Sequence, residues 1–297
     1  TAYYTHFKYP TKTTYEKNNS TMKNIRKNLV LLLLMMMNIS SANEGMWEPS
    51  QLPNLAKDIR AAGFKGDLNK ISNLFEYPLN AIVSLGGCSA AFISDQGLIA
   101  TNYHCVEGSY LQFNSDRTGK DLFKSGFLAK SIEAEAPSAP GAKVYITQEI
   151  TNVTTEVLLG ADQSKSENHR YKIIQSNKKE LIKNCEVSPE FQCEVKSFFS
   201  GETYQMIKKL AIKDVRLVYA PPQSIGEFGG EIDNWMYPRH TGDFALLRAY
   251  VTPENKSQEY HLDNIPYKPL SHLKISKKGI QENDFVMVAG YPGTTNR

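Results

Sequence analysis

The sequence predicts a mostly β protein, a barrel or sandwich decorated by helices, and three observations carry that prediction. Apolar runs of four to eight residues recur between turn signals rich in Gly, Ser, Asn and Asp. A single charge-rich excursion, about residues 163–213, places Tyr171, Ile174, Leu181 and Ile182 near helical spacing among lysines and glutamates. No internal repeat, heptad seam or low-complexity tract interrupts this texture. The 297 residues are 41% hydrophobic and 10% aromatic, enough for a real core, so a wholly disordered chain is excluded.

Taken in order, residues 1–21 are polar and Tyr/Thr/Lys-rich and read as translated upstream sequence without structure. Met22 then opens a secretory signal over 22–42. Lys23, Arg26 and Lys27 make a basic start, Leu29–Met37 an apolar centre, and Ser40-Ser41-Ala42 supplies the small residues of a cleavage site. Nine unbroken apolar residues are too few to span a bilayer, so no permanent membrane anchor is expected. The mature protein is expected to start near Asn43 and to be exported, to the periplasm or the cell exterior.

Residues 43–297 then form the folded body. Gly45 to about Phe75 mixes short helical patches with loop and reads as an N-terminal arm. Strands follow at Ala81–Leu85, Ser89–Ile93 and Leu98–Thr101, the last two joined by the turn Ser94-Asp95-Gln96-Gly97. Further strands are expected at Val144–Ile150, Val215–Tyr219, Phe244–Val251 and Phe285–Ala289. The chain then stops at Tyr291-Pro292-Gly293-Thr294-Thr295-Asn296-Arg297, directly after an apolar strand, and a truncated polypeptide is the expectation.

The net charge of +3 is concentrated in the leader. Residues 1–42 hold six Lys/Arg and one acid, leaving 28 Lys/Arg against 30 Asp/Glu in the remainder. A mildly acidic body with interspersed signs gives no electrostatic reason to expect nucleic acid as a partner. Export permits disulfides, and the four cysteines suggest two local bridges, Cys88–Cys105 across a hairpin and Cys185–Cys193 eight residues apart. No CxxC pair occurs, so neither zinc nor another cofactor is expected.

Two stretches could carry chemistry. In Thr101-Asn102-Tyr103-His104-Cys105 a histidine leaves a strand, held by rigid backbone yet open to a cleft, which suits a general base near neutral pH. In a strand-like segment Cys105 would point away from His104, so a bridge to Cys88 is a better account of Cys105 than a Cys–His dyad. In Asn234-Trp235-Met236-Tyr237-Pro238-Arg239-His240-Thr241-Gly242-Asp243, the aspartate opens an apolar strand. There it can either orient the base through Nδ1 or simply cap a turn after Gly242. His240 suits local structural bonding, while His169, His261 and His272 read as surface residues. The Gly226–Gly230 glycines lack Walker or Rossmann spacing and read as a flexible loop.

The first stretch resembles the histidine motif of chymotrypsin-like serine proteases, and Asp243-Phe244-Ala245-Leu246-Leu247 resembles their aspartate motif. More narrowly, Gly45-Met46-Trp47, Thr101–Cys105, Asp233–Asp243 and Gly290–Arg297 are similar to the bacterial dipeptidyl-peptidase 7/dipeptidyl-peptidase 11 family, from about Glu44 to the last residue. The resemblance implies a chymotrypsin-like barrel and a His-Asp-Ser hydrolase that releases dipeptides from free amino termini of peptides, with His104 as base and Asp243 as its orienter. It also implies that Asn234 and Trp235 receive the substrate's ammonium group, which an amide oxygen and an aromatic face can bind. A homodimer is implied for the full-length protein.

No serine after Asp243 fits the family's Gly-flanked nucleophile: Ser257, Ser271 and Ser276 lie in Lys-rich or polar contexts. The second barrel half and an inserted helical domain are also expected to be missing, and such a fragment should be inert alone. Two other readings compete. A secreted trypsin-like endopeptidase would leave the Asn234–His240 match unexplained, and a non-catalytic binding protein on a protease barrel gains weight only if the chain truly ends at Arg297.

Overall fold

Period-two burial makes the strands. In Ser89–Phe92 and Leu98–Thr101 every second residue is buried, and in Ala245–Val251 the side chains of Ala245, Leu247 and Ala249 are fully buried. One sheet face is thereby committed to a core. The computed structural model describes residues 47–161, 166–198, 201–230, 232, 238–282 and 284–291. The leader and the Asp233–Tyr237 stretch, with Asn234 and Trp235, lie outside the described residues.

The strands are β1 (Ile82–Ser84), β2 (Ser89–Phe92), β3 (Leu98–Thr101), β4 (Phe127–Leu128), β5 (Ala136–Pro137), β6 (Val144–Asn152), β7 (Phe191–Phe198), β8 (Thr203–Ile212), β9 (Asp214–Ala220), β10 (Ala245–Val251) and β11 (Ile265–Pro266). They form one sheet in the order β4-β9-β10-β3-β2-β1-β6-β8-β7, with β5 on β9 and β11 on β10. Its pairings are antiparallel throughout. The main core gathers Val83, Phe92, Ile99, Val144, Ile212, Leu217 and Leu247. Burying a side chain of the size of Phe92, which is 1% exposed, contributes about 2–3 kcal/mol.

The six strands expected between Ala81 and Val251 are present as β1, β2, β3, β6, β9 and β10. The N-terminal arm is short helical pieces, a 3-10 turn over Pro49–Leu55, α1 (Ala56–Ala61) and α2 (Leu68–Ser72). At the β2–β3 hairpin Gly97 has φ +68°, and a Cβ there would press on the carbonyls of Ala249 and Tyr267, so only glycine lets β10 lie this close.

Two expectations fail. The helical excursion stops at Cys185. After α3 (Phe113–Thr118), α4 (Leu122–Ser125) and α5 (Thr154–Leu158), α6 runs Glu167–Cys185, but residues 191–198 and 203–212 are the long ribbon β7–β8. Several of its charges have partners along or across the ribbon and do not form a solvated helix face. Glu194 pairs with Lys209 and, at 3.2 Å, with Lys196, while Lys208 lies 4.3 Å from the centre of the Phe191 ring. The ribbon and α6 enclose a second small core of Val153, Val157, Ile174, Val195 and Tyr204.

The second failure is Phe285–Ala289, which forms no strand, with Val288 99% exposed. Apolar composition alone does not supply a ladder partner, and none pairs with it among the described residues. The segment is fixed instead by its ends. Phe285 packs on Phe64 at 5.0 Å between ring centres, and Tyr291 donates its amide to Ser89 Oγ at 2.6 Å. Among the described residues no helix is long and apolar enough to cross a membrane.

A buried polar network locks β9 and β10. Arg216 makes a two-point pair with Asp214 (2.7 and 3.0 Å) and lies 3.8 Å from the centre of the Tyr250 ring, while Asn264 donates to Asp214 at 2.9 Å. Tyr250 donates to Glu135 at 2.6 Å, and Glu135 also accepts from Arg248 at 2.9 Å. Asp214→Ala would strand the buried Arg216 guanidinium, so the fold should lose about 3–5 kcal/mol. Chemical denaturation measures this; an unchanged midpoint would show that the network contributes nothing to stability.

Candidate active site

The register of β3 against β10 builds the site. Thr101 faces Ala245, and carried two residues past the strand ends this pairing sets Asp243 beside Tyr103 and His104. His104 Nδ1 lies 3.0 and 3.2 Å from the two carboxylate oxygens of Asp243. The same carboxylate accepts from the His104 amide at 3.2 Å and from Asn102 Nδ2 at 3.1 Å, and Asn102 also donates to the Asp243 carbonyl at 3.2 Å. The Asp243 side chain is 18% exposed and that of His104 61%. The ring is therefore held by one nitrogen and open at the other, as proton transfer to an incoming group requires. Asp243 therefore bonds the imidazole rather than only capping a turn after Gly242.

Asn102 was not singled out from sequence. It precedes the histidine by two, and in a strand it would share the histidine's face. Here Asn102–Val106 is instead a turn closed by Cys105 N to Asn102 O and Val106 N to Tyr103 O, which lets Asn102, His104 and the His104 amide converge on one carboxylate.

The same turn corrects the expected direction of Cys105. Its sulfur does not point away from His104: the Cys88 and Cys105 sulfurs and a His104 ring nitrogen lie within 4.8 Å of one another. Cys105 is nonetheless bridged to Cys88. Both sulfurs are bonded to each other, so neither is a thiolate nucleophile or metal ligand in this state. The bridge ties the β1–β2 turn to the His104 turn, and closing a loop of this length contributes about 3 kcal/mol. Cys185 and Cys193 are also bridged, joining the end of α6 to β7.

Behind the ring, Tyr103 is fully buried, and burial with the nearby Glu107, Glu227 and Asp121 carboxylates pushes its hydroxyl up to about 12. Its ring lies against Gly226 in α7 (Gln223–Gly226), where any Cβ would overlap it. Ile225 and Phe228 then receive the approach to Asp243: Gly242 donates to the Ile225 carbonyl at 2.8 Å, and Thr241 to the Phe228 carbonyl at 2.7 Å. The Gly226–Gly230 stretch is thus partly a packing element, not only a flexible loop.

Among the other candidates, His240, His169 and His261 are exposed and His272 is half-buried. The Ser257 hydroxyl donates to the Ala211 carbonyl at 2.6 Å, and Ser271 bonds Asn80.

His104 and Asp243 thus meet where β3 and β10 leave the antiparallel sheet, and the comparisons place the chain among peptidases. The Peptidase S46 family model matches residues 42–297, and the chain belongs to that family. It is 47% identical over 269 residues to an Asp/Glu-specific dipeptidyl-peptidase of Shewanella putrefaciens, covering 91% of this chain and 36% of that protein. It is 38% identical over 270 residues to dipeptidyl-peptidase 7 of Porphyromonas gingivalis, covering 90% of this chain and 37% of that one. The crystal structure of Porphyromonas endodontalis DPP11 in complex with substrate superposes with a TM-score of 0.71 at 33% identity, covering 81% of this chain and 36% of that one. The chain thus spans little more than a third of the length of these relatives.

Gly226→Ala should displace the Tyr103 ring and with it the His104 turn, lowering stability by about 1–3 kcal/mol. Thermal unfolding checks this; a wild-type melting temperature would show that the contact yields freely.

Proposed function

We propose that the full-length protein is a serine-type dipeptidyl peptidase that releases dipeptides from the free amino termini of oligopeptides. The observation that carries the reading is the His104–Asp243 pair, in a chain belonging to a peptidase family whose named relatives are dipeptidyl-peptidases. His104 takes the proton of a serine as that oxygen attacks the scissile carbonyl, and returns it to the leaving amine. Asp243 fixes the ring through Nδ1 and stabilises the imidazolium formed in between. Asn102 keeps the carboxylate in register with the ring.

The serine, its oxyanion-hole amides and the second half of a chymotrypsin-like barrel belong, on this reading, to the part of the relatives that this chain does not match. The chain alone is then inert, since a base without nucleophile or oxyanion hole cannot form an acyl-enzyme. Asn234 and Trp235 receive the substrate's ammonium group, the amide oxygen accepting from it and the indole face attracting its charge. The 22–42 segment directs export, and the mature enzyme acts as a homodimer on peptides outside the cytoplasm. The 47% identity to a relative named Asp/Glu-specific favours an acidic residue before the cut.

The test uses the full-length gene product and chromogenic dipeptide substrates. His104→Ala should abolish release, and Asp243→Asn should lower kcat by roughly 10⁴, the size of effect known for the corresponding change in a Ser-His-Asp enzyme. Retained activity in His104→Ala would overturn the assignment. Substrates ending in Asp or Glu should be cleaved at least about tenfold faster than hydrophobic ones, a difference of 1.4 kcal/mol in barrier; the reverse order would reject the acidic preference. Acetylating the substrate's amino terminus should stop cleavage, and continued cleavage would favour an endopeptidase.

A further inference from the structure

Cys88, Cys105 and His104 bring two sulfurs and a ring nitrogen within 4.8 Å of one another. Two turns assemble this cluster. Cys88 closes the β1–β2 turn by accepting from the Leu85 amide at 2.8 Å, and the Cys105 amide closes the other on the Asn102 carbonyl at 3.3 Å. The absence of a CxxC pair does not exclude a metal site here, because the cysteines lie 17 residues apart and meet only in the fold.

The bridge occupies both sulfurs, and opening it changes the chemistry of the cluster. A dithiol reductant attacks the Cys88–Cys105 bond through a mixed disulfide. The bond breaks, Cys88 and Cys105 each gain a proton from the reductant as thiols, and the reductant leaves as its own disulfide. A divalent ion can then displace the two thiol protons and bind the thiolates. Tetrahedral zinc has bonds of about 2.3 Å to sulfur and about 2.0–2.1 Å to nitrogen, so its ligand atoms stand roughly 3.5–3.8 Å apart. Groups already within 4.8 Å reach that spacing by side-chain adjustment.

The imidazole is prepared for the role. Metal-binding histidines give their other ring nitrogen to a carboxylate or carbonyl, which fixes the ring and raises its basicity. Asp243 holds His104 Nδ1 in this way at 3.0 Å. The His104 side chain is 61% exposed, so an ion can arrive from solvent and keep a water as its fourth ligand.

We propose that the reduced protein binds one zinc ion through Cys88 Sγ, Cys105 Sγ and His104 Nε2. The bridge keeps this site closed, and reduction opens it. Two thiolates and an imidazole select zinc, with cobalt as its spectroscopic probe, over magnesium or calcium. An ion on Nε2 takes the nitrogen that would accept the serine proton, so the reduced, zinc-loaded enzyme is silent; this consequence rests on the reading of His104 as the base.

The experiment reduces the full-length protein with dithiothreitol, removes the reagent by anaerobic gel filtration, and titrates Co²⁺ and then Zn²⁺. Reduced wild type should develop thiolate-to-cobalt charge-transfer absorption that zinc erases, and the unreduced protein should show none. Cys88→Ser/Cys105→Ser should abolish the absorption, which separates it from any arising at Cys185 and Cys193. His104→Ala should weaken zinc binding at least about tenfold; it keeps the bridge and removes only an exposed ring, so it carries the test if the double variant does not fold. No absorption in reduced wild type, absorption retained in the double variant, or unchanged zinc affinity in His104→Ala overturns the proposal. If reduction costs the fold, zinc should restore native circular dichroism, since binding is coupled to folding, and failure to restore it also overturns the proposal. These readouts use no turnover. A protein that binds zinc in this way yet never releases dipeptides, oxidised or reduced, supports the site and refutes the dipeptidyl-peptidase reading.

Discussion

The antiparallel register between β3 and β10 is the constraint on which everything else rests. His104 and Asp243 are 139 residues apart in sequence, and no local interaction could bring them together. Placing Thr101 opposite Ala245 does so by geometry alone, because each strand ends within three residues of the group it presents. A slip of one residue would turn Ala245, Leu247 and Ala249 from the core to the other face, so burial of these side chains protects the register. The same apolar packing that stabilises the sheet thus sets the reach between imidazole and carboxylate.

Three further devices keep the exits of these strands in place. The Cys88–Cys105 bridge anchors the turn that carries His104 to the β1–β2 turn. Gly226 lets the Tyr103 ring sit flush on α7, and that helix accepts the Gly242 amide just before Asp243. Farther back, the bonds of Arg248 and Tyr250 to Glu135, and the Arg216 guanidinium against the Tyr250 ring, fasten the far part of β10 to its neighbours. The near end of β10 is left to the aspartate, and the side chain that reaches outward from this frame is the exposed ring of His104. Rigid support beneath an accessible imidazole is what the proposed proton transfer needs.

The strands nearest the site were legible because small and apolar residues alternate there between unmistakable turns. The β7–β8 ribbon was not. Its lysines and glutamates find partners within the ribbon, and read along the chain they imitate a solvated helix. Phe285–Ala289 misled in the opposite sense, since β propensity says nothing about whether a neighbour exists to pair with. At the site, His104 was legible from its place at a strand exit, but the partnership with Asp243 came from motif resemblance, not from residue physics. Asn102 escaped notice because its bonds to Asp243 depend on a turn at 102–106 that the sequence read as extended.

The most direct test of the central claim is the placement of the His104 ring in a crystal of the full-length protein. This account predicts Nδ1 within hydrogen-bonding distance of the Asp243 carboxylate, Thr101 opposite Ala245, and the other ring nitrogen open toward a serine hydroxyl. Strands offset by one residue, or a ring turned away from that carboxylate, would contradict it.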